Sequence, residues 1–263
     1  MKFSIITINY NNREGLRSTI DSVVRQTSDD YEFIVIDGGS TDGSVEVVNN
    51  YKDRINYWVS EPDKGIYHAM NKGVAQAHGD YCIFMNSGDC FYDQTVLERV
   101  KAANPSEDIV VGKVVIDDQN HLISPPPKGE FTMYHLYSGS IPHQGSFIRT
   151  ELLRKHPYDE ELKISSDWKF FVQALIFDNS TIRYIDDFVA RYDTTGVGLS
   201  HPELMKSEKV RYLEEVLPPR VLKDYEMMKA SECLTQSLTP LLRKNYRIDK
   251  FLFRIGKLLL KLR

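Results

Sequence analysis

Short apolar runs alternate with amphipathic segments over the first 90 residues of the chain. The apolar runs are rich in β-branched and aromatic residues and end in turn residues, as buried strands do. In the segments between them, apolar residues recur every three or four positions, which predicts helices packed by one face. These patterns predict strands over residues 3–8, 32–36, 55–59 and 80–85, and helices over residues 14–26, 44–51 and 66–77. Such alternation forms βαβ units, so we predict an α/β fold with a Rossmann-like, mostly parallel sheet flanked by helices.

The alternation becomes less regular after residue 90. Three consecutive prolines over residues 125–127 cannot lie inside a strand or a helix and therefore indicate a loop. The remaining predicted elements are strands over residues 107–116, 145–149 and 181–192, and a helix over residues 166–177. We expect one mixed α/β domain over residues 1–200, with halves over 1–90 and 91–200, and a helical C-terminal extension over residues 201–263.

Composition is that of a globular protein with a sizeable core, since 41% of the 263 residues are hydrophobic and 27% are charged. No apolar stretch approaches the roughly 20 residues of a membrane-spanning helix, and no signal peptide is visible. The cysteines, Cys82, Cys90 and Cys233, lack metal-ligand spacing and indicate neither a disulfide framework nor a zinc site. These observations favour a cytoplasmic protein.

Charge is unevenly distributed, although the net charge is only −4. Residues 241–263 hold eight basic residues and one acidic residue, a net charge of +7, so the rest of the chain carries −11. An acidic body argues against nucleic-acid binding by the main domain. The basic tail is therefore a separate functional question.

Apolar and basic residues of this tail fall on separate stripes of a predicted helix. An amphipathic helix of this kind binds the surface of an anionic membrane, which would place the protein peripherally on the inner face of the cell membrane. Core packing or a homodimer contact is the alternative. The apolar stripe holds Ile248, Phe251, Leu252, Ile255, Leu258, Leu259 and Leu262, and the basic stripe holds Lys250, Arg254, Lys257 and Lys261.

Polar residues cluster where the first two predicted strands end. Thr7, Asn9 and Asn11 belong to the first of these segments, and Asp37 and Gly39 belong to the second. Neighbouring parallel strands bring such turns together at one rim, where they offer acceptors for a base or ribose and backbone donors for phosphate. Ordinary loop composition is the alternative. The glycines of the second turn do not match G-x-G-x-x-G, which argues against a dehydrogenase.

Two further polar segments follow. Asp63 and Lys64 precede a predicted helix whose N-terminal amides favour an anion, although Asp63 also suits a helix N-cap. The fourth predicted strand runs into Asn86, Ser87 and Asp89. A single carboxylate at such a strand end suits Mg2+ or Mn2+ holding a diphosphate, and a plain polar turn is the alternative.

Six short motifs occur in a fixed order along the chain. They are Ser4–Asn11, Ile36–Gly43, Asp63–Gly73, Met85–Asp89, Pro142–Gly145 and Ser165–Trp168. With these motifs the chain resembles the family 2 inverting glycosyltransferases of the A-type fold over residues 1–200. Any one of the motifs is a weak signal, whereas six in order are specific.

The resemblance implies roles for individual residues. In such enzymes the carboxylate that matches Asp37 contacts the nucleotide base, usually uracil, and the one that matches Asp63 lies at the nucleoside. The turn that matches Asn86–Asp89 is the family's metal-binding D-x-D motif, and Asp167 matches the catalytic base. Ser87 stands where the family has its first acidic residue, which leaves Asp89 as the clear metal carboxylate.

These roles define the expected site. A structural role is the alternative for His143, a surface or core role for His201, and a helix N-cap for Asp167. A loop over residues 196–200, with two glycines, is expected to close over the diphosphate. The expected donor-binding residues are Thr7, Asn9, Asn11, Asp37, Gly39, Asp63, Lys64, Asn71, Asn86 and Ser87, the acceptor-side residues are His143, Gln144 and Trp168, and the metal ligands are Asp89 and His201.

The expected reaction is an inverting, metal-dependent sugar transfer. A divalent ion, Mn2+ or Mg2+, would stabilise the charge on the leaving phosphate, and a carboxylate would take the proton of the acceptor hydroxyl. The resemblance implies transfer of a hexose or N-acetylhexosamine from a UDP-sugar to a saccharide acceptor, plausibly lipid-linked, in surface polysaccharide biosynthesis. The alternatives are a nucleotidyltransferase and a catalytically silent sugar-nucleotide-binding or scaffold subunit, the latter favoured by Ser87.

Overall fold

The computed structural model describes residues 1–116, 121–123, 131–194 and 201–243, with side chains described up to residue 235. The chain divides into two compact units, Met1–Tyr212 and Leu213–Arg263. The boundary expected at residue 200 falls earlier than the observed one because Glu208 and Tyr212, beyond that position, are packed within the first unit.

Eight strands of the first unit form one sheet within the described ranges. They are β1 (Phe3–Asn9), β2 (Tyr31–Asp37), β3 (Tyr57–Ser60), β4 (Tyr81–Phe84), β5 (Cys90–Phe91), β6 (Ile109–Val115), β7 (Ser146–Arg149) and β8 (Ile182–Arg191). The strand order is β3-β2-β1-β4-β7-β6-β8-β5. The neighbouring strands β3, β2, β1 and β4 run parallel to one another, and β6 runs parallel to β8. Strand β7 is antiparallel to β4 and β6, and β5 is antiparallel to β8. The predicted α/β class with a mostly parallel sheet is confirmed.

The helices follow the predicted periodicity where that periodicity is long. They are α1 (Arg13–Val24), α2 (Ser44–Asn50), α3 (Ile66–Gln76), α4 (Val96–Ala102), α5 (Met133–Ser138), α6 (Thr150–Lys155), α7 (Ser166–Val172), α8 (Pro202–Val216) and α9 (Pro219–Arg243). Helices α4, α5 and α6 and strand β5 were not predicted, because they are only two to seven residues long and lie from residue 90 onward, where strands and helices no longer alternate regularly. The helix predicted over 166–177 is α-helical only to Val172 and continues as a π-helical turn, Gln173–Phe177.

The core places α3 tightly against the centre of the sheet. Every residue of β1 is buried, and Leu16, Ile20 and Val23 of α1 pack into the same core. On α3, a methyl group at Gly73 would lie only 2.4 Å from Cγ2 of Ile6. The missing side chain therefore lets α3 lie close to β1.

Strand register brings the polar ends of three strands into one row. Asn9 at the end of β1 pairs with Asp37 at the end of β2, and Asp37 pairs with Ser60 at the end of β3. Ligands bind to open α/β sheets outside the carboxyl ends of the strands, so this row marks the expected rim.

The second unit consists of the end of α8 and the long helix α9 within its described part. Met227, Met228 and Leu234 of α9 are exposed. None of the helices in the described ranges combines the length and the hydropathy that a membrane crossing requires. The tail predicted to bind membranes lies outside the described residues from position 244 onward, as does the loop over 196–200.

Candidate active site

A cavity of about 1120 Å³ opens at the carboxyl ends of the parallel strands. Its walls come from the turns after β1, β2 and β4, from the start of α3 and from the segment just before β7, and they include both Asp63 and Asp167. Polar lining residues include Asn9, Asn12, Asp63, Lys64, Asn86, Ser87, Asp89, His143, Gln144, Asp167 and Asp193. Most of the chemistry-bearing residues predicted from the sequence therefore meet in one cavity.

Asp37 lies beneath this cavity and does not line it. Its buried carboxylate accepts hydrogen bonds from Asn9 Nδ2 (2.7 Å), Ser60 Oγ (2.6 Å), Ser40 Oγ (2.6 Å) and the Ser40 amide (2.9 Å). Burial alone would raise the pKa of Asp37, but these hydrogen bonds outweigh it and lower the pKa. With its oxygens engaged in this way, Asp37 holds the turns after β1 and β2 together, and its expected contact with the nucleotide base stays a prediction.

Four other expected donor-binding residues also lie outside the cavity lining. Thr7 Oγ1 donates to the carbonyl of Met85 (2.7 Å) and so joins the ends of β1 and β4. Asn11 has a positive φ of 49°, and its backbone N–H donates to Ser40 Oγ. Gly39 has φ of 81°, and a methyl group there would lie 3.3 Å from the nitrogen of Pro62.

Asn71, the fourth, connects α3 to the segment before α7. Its Nδ2 donates to the carbonyl of Tyr158 (2.8 Å) and to Oε1 of Glu160 (3.0 Å), and its Oδ1 accepts from the amide of Tyr158 (2.9 Å). These contacts use both N–H donors of the amide and one of the two acceptor sites of its oxygen within the protein. The structure therefore gives Asn71 a scaffold position.

Asp63 is the acidic residue that faces the cavity at the ends of β1 and β2. Its Oδ1 accepts from Lys72 Nζ (2.8 Å) and contacts His68 Nδ1 (3.1 Å). Its Oδ2 is buried and has no hydrogen-bond partner within the described part of the chain. That oxygen is close to Gly38, where an added methyl group would lie 3.3 Å from it. A buried acceptor of this kind requires a hydrogen-bond donor from water or from a bound ligand.

Next to Asp63 lies Tyr10, which lines the cavity although its side chain is 69% exposed. Its ring approaches Gly38, where an added methyl group would lie 3.1 Å from ring atom Cδ2. An exposed aromatic face beside an unpartnered acceptor suits a planar heterocycle with a ring N–H. The signal in the sequence was a single aromatic residue inside the polar turn after β1, and it did not mark Tyr10 as functional.

Asp167, the second residue of α7, lies in the cavity wall between two side chains. Its Oδ1 accepts from the phenol of Tyr67 (3.0 Å), and its Oδ2 lies 3.3 Å from Nδ1 of His143. Burial would raise the pKa of Asp167, but the hydrogen bond and charge of His143 and the hydrogen bond of Tyr67 outweigh it, so the pKa is lowered. The carboxylate is thus kept ionised and oriented.

His143 links Asp167 to the turn after β4. Its Nε2 lies 3.2 Å from Asn86 Nδ2, and Asn86 Oδ1 is buried without a described hydrogen-bond partner. A hydrogen on Nδ1 is needed for a bond to Asp167, and in that tautomer the bare Nε2 accepts from Asn86 Nδ2. Asn86 therefore helps to orient the imidazole ring toward Asp167.

Asp89 shares its end of the cavity with a second carboxylate, that of Asp193 just after β8. Oδ1 of Asp89 accepts from the backbone N–H of Asp193 (2.9 Å), and a methyl group at Gly88 would lie 2.3 Å from Asp193 Oδ2. Burial raises the pKa of Asp89 to about 6, against the lowering effects of His143 and Gln144. The Gln144 side chain therefore lies within hydrogen-bond distance of Asp89.

These donors fit a hard divalent cation. Mg2+ and Mn2+ bind one or two protein carboxylates together with phosphate oxygens, and Asp89 and Asp193 supply two. No group of three or more His, Cys, Asp or Glu residues is arranged as a metal site in the described ranges. Asp193 was not recognised in the sequence, although it directly follows a predicted strand, as Asp37 does.

Two expected residues lie away from the cavity lining. Trp168 is buried, its Nε1 donates to the carbonyl of Leu136 (2.8 Å), and its ring packs edge-on against Tyr212. This differs from the acceptor-side position expected, because α7 turns Asp167 and Trp168 to different sides. His201 is exposed and does not line the cavity.

The last two expected donor-binding residues have contrasting surroundings. Lys64 is exposed in the cavity wall, and its backbone N–H donates to His68 Nδ1 (3.4 Å). Ser87 also lines the cavity, but its hydroxyl donates to the carbonyl of Asn12 (3.1 Å), whose side chain returns a bond to the Ser87 carbonyl (3.2 Å). Ser87 therefore ties the turn after β4 to the turn after β1.

Comparison with known proteins now decides the family. The model of Glycosyl transferase family 2 matches residues 4–159. The chain belongs to this family. It is 36% identical over 210 residues to an uncharacterized glycosyltransferase of Mycobacterium tuberculosis, covering 76% of this chain and 78% of that protein. It is 31% identical over 207 residues to a PGL/p-HBAD biosynthesis glycosyltransferase of the same species, covering 76% and 79%.

Solved structures show the same A-type glycosyltransferase fold. Staphylococcus aureus TarS in complex with UDP-GlcNAc superposes with a TM-score of 0.64 at 22% identity, covering 83% of this chain and 68% of that chain. A mannosyltransferase of Pyrobaculum calidifontis in complex with GDP-Man and Mn2+ gives 0.60 at 17%, covering 80% and 64%. Another TarS structure is matched over 41% of its own chain, so the likeness concerns the catalytic fold only.

Proposed function

We propose that the protein is an inverting glycosyltransferase that moves a hexose or N-acetylhexosamine from a nucleoside diphosphate sugar to a hydroxyl of a saccharide acceptor. The observation that carries this proposal is the carboxylate of Asp167, which is ionised, faces the cavity and is held by Tyr67 and His143. A carboxylate held in this way takes the proton of an attacking hydroxyl as the sugar–phosphate bond breaks. Nothing in this role requires a covalent intermediate.

Asp63 and Tyr10 support binding of the donor's nucleobase. Oδ2 of Asp63 suits a ring N–H of uracil, and the Tyr10 ring offers a stacking surface. The UDP-GlcNAc bound to TarS favours uracil, whereas the GDP-Man bound to the archaeal mannosyltransferase shows that the fold also takes guanine. In this proposal Asp37 acts on the donor indirectly, by fixing Asn9 and the turn after β2.

Asp89 and Asp193 are the residues that would hold the divalent ion of the family. When bound, Mn2+ or Mg2+ stabilises the negative charge that develops on the leaving diphosphate. Ser87 stands where the family motif has its first acidic residue and supplies no carboxylate. In this proposal Asp193 supplies the second carboxylate instead, so two carboxylates remain for the ion. His201 is not needed for this assignment.

The acceptor side combines polar and apolar walls. His143 and Gln144 border it next to Asp167, while Ile141 and Ile164 line the same cavity. These apolar residues support an acceptor that carries an apolar part, as a lipid-linked saccharide does. Binding of the basic tail to the inner membrane surface would bring the enzyme to such an acceptor.

The test is a panel of UDP- and GDP-sugars with and without Mn2+, read out by release of nucleoside diphosphate that depends on an added acceptor. We expect acceptor-dependent release with one UDP-sugar. Asp167→Asn should lower kcat by about 100-fold to 10,000-fold without weakening donor binding, because only the base is removed. Asp53→Asn, at an exposed position outside the cavity, is the matched control and should be fully active.

The same assay separates the alternatives. A nucleotidyltransferase would release inorganic diphosphate from a nucleoside triphosphate. A silent binding subunit would bind the donor with the wild-type and Asp167→Asn proteins alike and release nothing. Either outcome would refute the proposed transferase.

A further inference from the structure

Helix α8 carries a buried acidic residue that the proposed mechanism does not use. Glu208 is only 7% exposed, and its carboxylate accepts four hydrogen bonds from three consecutive residues. Oε1 accepts from the amide of Lys163 (2.7 Å), and Oε2 accepts from the amides of Ile164 (3.2 Å) and Ser165 (3.1 Å) and from the Ser165 hydroxyl (2.6 Å). An ionised carboxylate is stable in such a position only because these donors replace water.

The segment that Glu208 binds is the entry to the helix of the candidate base. Ser165 is the N-cap residue of α7, and Asp167 follows two positions later. The Ser165 side chain makes no capping bond to α7, and its hydroxyl donates to Glu208. The start of α7 is therefore anchored by a residue from another helix rather than by its own cap.

Residues that flank Glu208 on α8 also contact this part of the first unit. Met205 lines the cavity, and the Tyr212 ring packs edge-on against Trp168 at 6.0 Å. The ammonium of Lys209 lies 5.0 Å from the Trp168 ring centroid. Met205 and Tyr212 lie three and four positions from Glu208, and Lys209 is its neighbour, so the side of α8 that carries Glu208 is packed against α7 and the cavity wall.

We propose that Glu208 is a positioning residue for sugar transfer, which sets the entry of α7 so that Asp167 reaches both Tyr67 and His143. This inference rests on the proposed function. Asp167 has two oxygens, one held at 3.0 Å and the other at 3.3 Å, so a small displacement of α7 lengthens one contact or the other. The charged form suits this role, since the four hydrogen bonds lower the pKa of Glu208 despite its burial.

The test compares Glu208→Gln with the wild type in the acceptor-dependent assay. Glutamine keeps the size of the side chain and one acceptor oxygen, but its NH2 group faces backbone N–H donors that cannot accept a bond. We expect kcat to fall about tenfold to 100-fold, as for a reactive group displaced by a fraction of an ångström to 1 Å, while the donor Kd stays within about twofold. The acid limb of the kcat–pH profile should move to higher pH as Asp167 loses its partners.

Two further variants keep the test decisive. Ser165→Ala removes the 2.6 Å hydroxyl bond alone and should give a smaller loss of kcat in the same direction, even if Glu208→Gln does not fold. Glu215→Gln, at an exposed site on α8, should behave as the wild type. If Glu208→Gln or Ser165→Ala lowers only the melting temperature and leaves kcat and its pH profile unchanged, Glu208 is structural and the inference is wrong. A wild-type protein that transfers no sugar would instead refute the proposed function and the inference with it.

Discussion

The phenols of Tyr67 and Tyr158 offer a matched pair of substitutions around the candidate base. Both side chains are buried, and their rings pack together with centroids 5.5 Å apart. Only the Tyr67 hydroxyl donates to Asp167, whereas the Tyr158 hydroxyl has no hydrogen-bond partner in the described part of the chain. Replacing each tyrosine in turn with phenylalanine therefore removes a hydroxyl group from two similar buried positions. Only the Tyr67 hydroxyl contacts Asp167, the candidate base.

The expected difference follows from hydrogen-bond energies. A hydrogen bond to a charged acceptor stabilises a folded protein by about 1.5–3 kcal/mol, so Tyr67→Phe should lower the free energy of unfolding by about that amount. Tyr158→Phe removes a buried hydroxyl that lacks a partner and should leave stability unchanged or raise it. We therefore expect the free energies of unfolding of the two variants to differ by about 1.5 kcal/mol or more at neutral pH.

Denaturant unfolding measures this difference, and the pH dependence of kcat tests its relevance to catalysis. The Tyr67 hydrogen bond helps to lower the pKa of Asp167 in the folded protein, so its stabilising effect is present at neutral pH and is lost as pH falls through that pKa. Tyr67→Phe should move the acid limb of kcat to higher pH, and Tyr158→Phe should not. Coincident acid limbs for Tyr67→Phe and the wild type would refute the assignment of Asp167 as the base.

Three further predictions concern the metal, the donor and the fold. Asp193→Asn should weaken Mn2+ binding in the presence of UDP by about tenfold or more in calorimetry, and unchanged binding would exclude Asp193 as a ligand. Asp63→Asn should weaken UDP binding by about tenfold to 100-fold. Glu61→Gln should have little effect, because Glu61 is exposed, although it contacts Lys72 as Asp63 does. Glu32→Gln should destabilise the fold by about 2 kcal/mol at neutral pH, because the buried carboxylate binds Ser4 and the amides of residues 78 and 79. Those bonds lower the pKa of Glu32 below its ordinary 4.5, so the loss of unfolding free energy caused by Glu32→Gln should become smaller as the pH falls through that pKa. A loss that stays constant with pH in urea unfolding would contradict this.

Local patterns were sufficient where apolar runs and helical segments alternate regularly along the chain. The alternation of apolar runs and helical periods predicted β1 to β4 and α1 to α3, because side-chain period and burial are linked within one segment. Beyond residue 90, where that alternation becomes less regular, short helices such as α4 and α5 escaped prediction, since six or seven residues adopt a helix only when tertiary contacts stabilise it.

The carboxylates in and near the cavity also show what the sequence predicts and what it does not. Asp63, Asp89 and Asp167 were predicted as site residues because each stands in an ordered motif at a strand end or helix start, and all three line the cavity. Asp37 stands in an equally clear motif, yet its oxygens are taken up by donors from three separate segments. The motif identified an important carboxylate but not the direction that it faces.

The sequence by itself determined the α/β class, the family and most of the polar residues at the rim, because these depend on spacing within short segments. Only the tertiary structure decided which residues act together. Asp193 meets Asp89 across 104 positions, Tyr67 meets Asp167 across 100, and Glu208 reaches the start of α7 from 43 positions away. Such pairings are set by strand order and helix packing, and no pattern within a single segment encodes them.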